Sequence, residues 1–320
     1  MRTLPNYMPI RNIAKLSWLV IAAAFVTTET TYAELTGTTG DVSNWVSSTE
    51  WVKLGGSYKG SEGPQWILEK GEPILYYAAH HDFLALKWSE RKGLVQWRTD
   101  SPEATSFRPD GQGGYYVVEQ TTRRVTRWNA EAKPVEILAE RYKGKRLNRP
   151  NDLVVKKDGS LWFTDPPFMY GEKFPDQIRE LEEENVYRLD PKTKRLTVAC
   201  AAMSRPNGIA FSPDEQWMYL TDGRETKIFR CRVEGDRLGK PEVFADLGFR
   251  GTDGLTFDPK GNLWCGSMRG AYVYSPQGTL LGTMNFGEKV SATAFHSLPN
   301  GDTMVAITTQ TAAYVGKLKQ

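Results

Sequence analysis

Cysteine and histidine are scarce in this chain. There are three cysteines, Cys200, Cys231 and Cys265, and three histidines, His80, His81 and His296. No two cysteines form a CxxC pair, so the usual thiolate motifs are missing. A GxSxG phrase is also absent, which argues against a nucleophilic serine triad. Long apolar stretches are missing too. The best run, residues 16–26, falls short of the roughly twenty residues that a membrane span needs. Charge of one sign does not dominate: the formal net charge is +3 over 320 residues. That near-neutrality gives no electrostatic reason to expect nucleic acid as a partner.

The N-terminus nevertheless reads as an export signal. Arg2, Arg11 and Lys15 precede the apolar run, and Thr31-Tyr32-Ala33 fits a small-residue cleavage site. Cutting before Glu34 leaves 287 residues (320 minus 33), enough for a single domain over residues 34–320. Removing Arg2, Arg11, Lys15 and Glu29 lowers the charge from +3 to +1. The expected location is periplasmic or secreted, with no stable span after cleavage; the alternative is a retained anchor. An exported chain permits a disulfide, and Cys200–Cys231 is the plausible pair if adjacent units bring them together. Burial is the other reading for all three cysteines.

What the chain does have is a recurring phrase. Ser61-Glu62-Gly63-Pro64-Gln65-Trp66, Arg149-Pro150-Asn151-Asp152, Arg205-Pro206-Asn207-Gly208 and Gly251-Thr252-Asp253-Gly254 each open a short apolar segment. In each, an oxygen-bearing side chain stands four residues before a large apolar one: Glu62/Trp66, Asn151/Val155, Asn207/Phe211 and Asp253/Phe257. Two weaker copies put Glu103 and Ser291 in the same slot. The six slots are spaced by 41, 48, 56, 46 and 38 residues. Such periods, filled with short strands and Pro/Gly/Asn turns, predict an all-β, six-bladed β-propeller; the alternative is a β-sandwich. The sixth copy has room for three strands only, so Trp51-Val52-Lys53-Leu54 is expected to supply the fourth and close the ring. A helical period shows only near residues 177–184, inside the largest insertion, residues 166–185. That insertion reads either as a lid carrying Tyr170 and Phe174 or as a solvated surface helix.

Slots at the start of innermost strands should ring one mouth of the central channel. Three acids, two amides and a hydroxyl converging there need a counter-charge, because buried carboxylates repel. Oxygen-only donors point to one hard divalent cation, Ca²⁺ first, then Mg²⁺ or Mn²⁺, with Zn²⁺ last. Strand capping by Asn and Asp is the other reading. Arg149 and Arg205 each stand two residues before a slot, placed for anion or hydroxyl recognition or for surface ion pairs. His80 or His81 could shuttle protons at the mouth, and His296 could face the channel.

The phrases Glu62-Gly63-Pro64, Asn148-Arg149-Pro150-Asn151-Asp152, Phe163-Thr164-Asp165-Pro166-Pro167, Pro206-Asn207-Gly208 and Asp253-Gly254-Leu255 resemble those of the SMP-30/gluconolactonase/LRE-like family. The resemblance covers about residues 55 to 318. It implies a six-bladed propeller with a divalent metal, often calcium, and hydrolysis of a sugar lactone or related ester. By the same resemblance Glu62, Asn207 and Asp253 match metal-ligand phrases. Asn151 and Arg149 match the phrase that meets metal-bound water or substrate, and Asn151 is counted with the ligands as well. Asp253 and Asn151 are then the expected catalytic residues. Arg149, Asn151, Glu103 and His81 are the expected substrate contacts, for a small-molecule partner. Two rivals stand beside this reading: a binding propeller with a structural metal, and a phosphoester or organophosphate hydrolase. Glu103-Ala104 departs from the family's usual Asn-Gly in the second unit. Glu103 is then either a channel acid or a loop acid. Oligomeric state has no signal in the sequence.

Overall fold

In the computed structural model the described residues form six antiparallel sheets arranged as blades around one channel, with a two-stranded ribbon, Arg141–Tyr142 paired with Lys145–Arg146, beside them. The structure describes residues 31–33, 35–46, 51–168 and 177–318. Blade 1 comprises Ser61–Glu69, Glu72–Ala79, Leu84–Ser89 and Gly93–Arg98. Blades 2 to 5 repeat the order, their innermost strands being Ala104–Pro109, Leu153–Val155, Pro206–Phe211 and Thr252–Phe257. Blade 6 starts from Val290–Ser297 and runs through Thr303–Thr309 and Ala313–Leu318. As the sequence predicts, Trp51–Leu54 then pairs with Ala313–Leu318 as the fourth strand.

Second strands such as Leu161–Thr164 are buried on both faces, because each is sandwiched between neighbouring blades. Outer strands such as Glu242–Asp246 are largely exposed, with only Ala245 buried. Aromatic side chains fill the wedges between blades. Trp51, Trp128, Trp162 and Trp264 are among the largest fully buried side chains. Cys200, Cys231 and Cys265 are buried thiols, and no disulfide joins them. Cys200 and Cys231 nonetheless lie in one core cluster between blades 3 and 4.

Two N-terminal segments extend the sheets. Gly37–Gly40 pairs with Leu280–Asn285 on the outside of blade 5, and Thr31–Ala33 pairs with Trp51–Leu54 on the outside of blade 6. The expected cleavage point falls at the end of that second segment, so cutting there would leave blade 6 with four strands. The apolar run itself lies outside the described residues, as do Tyr170 and Phe174. Among the described residues no helix is long and apolar enough to cross a membrane.

One expectation fails. Residues 177–184 form no helix. Side chains hold the segment against its neighbours instead. Gln177 Nε2 donates to the Thr121 carbonyl (3.1 Å), Glu180 accepts the Arg146 N–H (2.9 Å), and Leu181 is buried in the core beneath. These anchors replace the local hydrogen bonds of a helix.

Candidate active site at the channel mouth

The inner strands open on a shared local device. In blades 1, 2, 4, 5 and 6 the register slips at the slot, between Glu62/Gln65, Ala104/Ser106, Pro206/Ile209, Thr252/Leu255 and Val290/Ala292. A bulge of this kind re-aims a side chain away from the regular pleat. The glycine after the slot lets adjacent blades touch. A Cβ on Gly63, at φ 57°, would stand 2.2 Å from the Thr105 carbonyl oxygen, and one on Gly208 would stand 2.4 Å from that of Asp253. Threonines of the preceding blade then fix the slot backbone. Thr105 donates to the Asn151 carbonyl (2.5 Å), Thr164 to that of Asn207 (2.7 Å) and Thr221 to that of Asp253 (2.7 Å).

Five slot side chains, Glu62, Asn151, Asn207, Asp253 and Ser291, line one cavity of about 780 Å³ at the channel mouth. Asn207 Nδ2 donates to Asp253 Oδ1 (2.9 Å), and Lys289 Nζ lies 2.5 Å from Asp253 Oδ2. Ser291 lines the same cavity as Glu62. Burial, with the charge of Asp253 close by, pushes the Glu62 carboxyl up to about 8. Below the floor, a void of about 20 Å³ separates these groups from the Arg108–Asp152 pair (3.5 Å).

The floor suits a hard cation. Its donors are two carboxylates and two carboxamides, with a serine hydroxyl beside them. Among the described residues no three His, Cys, Asp or Glu side chains gather into a metal-binding group. The amides must therefore complete any such set. Asn207 Oδ1 is buried with no hydrogen-bond partner and is thus available as a ligand. A buried acceptor without a partner is costly, on the order of 1–3 kcal/mol, unless something meets it.

Glu103 does not join the cavity lining. It sits just before its strand in the left-handed region (φ 51°), which turns the side chain back into the protein. There it accepts from Arg149 Nη2 (2.8 Å), Thr121 Oγ1 (2.8 Å) and His81 Nδ1 (3.2 Å). Glu103 and Arg149 are both 0 % exposed. The sequence reading placed both against substrate; the structure pairs them behind the wall. His81 does line the cavity and is the link between that pair and the open space. His80, beside it, donates from Nδ1 to the Gly60 carbonyl (2.5 Å) and is buried, which pulls its basicity down to about 3. That rules out easy proton shuttling by His80 near neutrality. His296 lies away from the mouth, against Trp66 (6.2 Å between centroids). The Arg205 guanidinium rests over the Phe168 ring (5.7 Å).

Lys289 escaped the sequence reading although its signal was present. It stands two residues before slot Ser291, as Arg149 and Arg205 stand before Asn151 and Asn207.

The family model described as "SMP-30/Gluconolactonase/LRE-like region" matches residues 60–311. The chain belongs to that family. This family member is 29% identical over 269 residues to a gluconolactonase of Zymomonas mobilis, covering 78% of this chain and 73% of the relative. It is 28% identical over 230 residues to the 6-deoxy-6-sulfogluconolactonase of Pseudomonas putida, covering 69% and 73%. Its fold matches the structure of a Xanthomonas campestris gluconolactonase with a TM-score of 0.79 at 27% identity, over 91% of this chain and 99% of the other.

Proposed function

We propose that this protein is an exported, metal-dependent hydrolase of a sugar lactone or related small ester. The observation that carries the reading is the unpartnered Asn207 Oδ1 beside Asp253 and Glu62, at the floor of a cavity large enough for one sugar acid. Glu62, Asn151, Asn207 and Asp253 would hold one divalent cation, Ca²⁺ in first place. When bound, the cation supplies Lewis-acid polarisation of the ester carbonyl. Asp253 accepts the proton of the attacking water, since a carboxylate can use one oxygen as ligand and the other as base. Asn151, whose backbone Thr105 and Thr164 hold in place, orients the water and the carbonyl. His81 offers a polar edge to the sugar hydroxyls, and its ring is held by Glu103. The gluconolactonase and sulfogluconolactonase relatives support the substrate class.

Purified protein with Ca²⁺, Mg²⁺, Mn²⁺ or Zn²⁺ is expected to open sugar lactones and to stop when a chelator is added. Asp253→Asn should lower kcat by about 10²–10⁴-fold, the usual contribution of a general base, with the circular dichroism spectrum unchanged. If no lactone, aryl ester or organophosphate is turned over with any of the four ions, the enzyme reading falls and a binding propeller takes its place. Export is tested separately: N-terminal sequencing of protein recovered outside the cytoplasm should start at Glu34.

A further inference from the structure

Three basic residues stand two positions before slots, and the structure uses each differently. Arg149 is buried on Glu103, and Arg205 lies over Phe168. Lys289 lines the cavity, with its ammonium 2.5 Å from Asp253 Oδ2 and its side chain 29% exposed. The ionisable groups on the floor are therefore the carboxyls of Glu62 and Asp253 and the amine of Lys289. Asp253 is gripped at both oxygens, by Asn207 Nδ2 on one and Lys289 Nζ on the other. Glu62 feels the same ammonium.

From this geometry we infer that Lys289 is a resident counter-cation of the site. It holds Asp253 in its ligating posture before a divalent ion arrives, and it weakens the binding of that ion. The inference rests on the proposed metal site. Without Lys289 the ion, once it has displaced the Glu62 proton, would meet two carboxylates at full strength, and the loaded floor would be neutral. With Lys289 the loaded floor carries one excess positive charge, and the ion must share Asp253 with an ammonium. Like charges this close in a sheltered site interact strongly.

The test is calorimetric titration of chelator-stripped protein with Ca²⁺, Mg²⁺, Mn²⁺ and Zn²⁺, repeated on Lys289→Met and Lys289→Arg. Lys289→Met is expected to bind its preferred ion about tenfold more tightly or better. In chelator its Tm should be several degrees lower than that of the parent, and the gain in Tm on adding the ion should be larger. Lys289→Arg, which keeps the charge, should titrate like the parent. Lys289→Gln supplies the same loss of charge if the methionine variant does not fold. Equal or weaker binding by the uncharged variants overturns the role of Lys289 and leaves the metal site standing. No binding of any of the four ions by parent or variants overturns the metal site, and the role of Lys289 with it.

Discussion

Arg149 and Glu103 form a charge pair that neither solvent nor the cavity reaches. Removing one partner of such a pair leaves the other charged and buried, which costs about 3–5 kcal/mol. Arg149→Met should therefore destabilise the fold by that amount in urea titration, and Arg149→Met with Glu103→Gln should lose less than Arg149→Met alone. His80 gives a second expectation at this scale. Its folded basicity lies near 3 against an ordinary 6.5, so between those values the unfolded chain binds a proton that the folded chain refuses. Its contribution is complete above pH 6.5 and is lost as pH falls towards 3. Urea midpoints across that window should fall with pH, and His80→Gln should flatten the fall. The slot residues were legible in the sequence because their apolar frame repeats. Glu103 was not, because its displacement from the cavity comes from a left-handed backbone and a partner 46 residues away.

The blades were legible as elements for the same reason that their slots were: each repeats one pattern of strand and turn. The segment over residues 177–184 was not. Its apolar spacing resembles a helix, yet contacts from Thr121 and Arg146 on the neighbouring blade decide its course. Blade adjacency made Cys200–Cys231 the plausible disulfide pair; the structure brings the two residues into one core cluster but leaves both as thiols. Incubation with a small disulfide oxidant should link them, and mass spectrometry of the unreduced protein should find both in one cross-linked peptide. Cys265, fully buried in another core cluster, should remain a thiol.

For the molecule as a whole, the seam of blade 6 matters most. Trp51 is 1% exposed, lies edge-on to Phe286 (5.4 Å) and covers Gly316 of the neighbouring strand. Trp51→Ala should cost about 3–5 kcal/mol, as for other large core aromatics, read as a lower urea midpoint. The seam also fixes an order of events. The strand at 51–54 leaves the ribosome early, and its partner at Ala313–Leu318 leaves more than 250 residues later. Five blades can assemble from local pairings while synthesis proceeds, but the ring stays open until Ala313–Leu318 emerges. A protein closed this way reaches its finished cavity only once two strands more than 250 residues apart have paired.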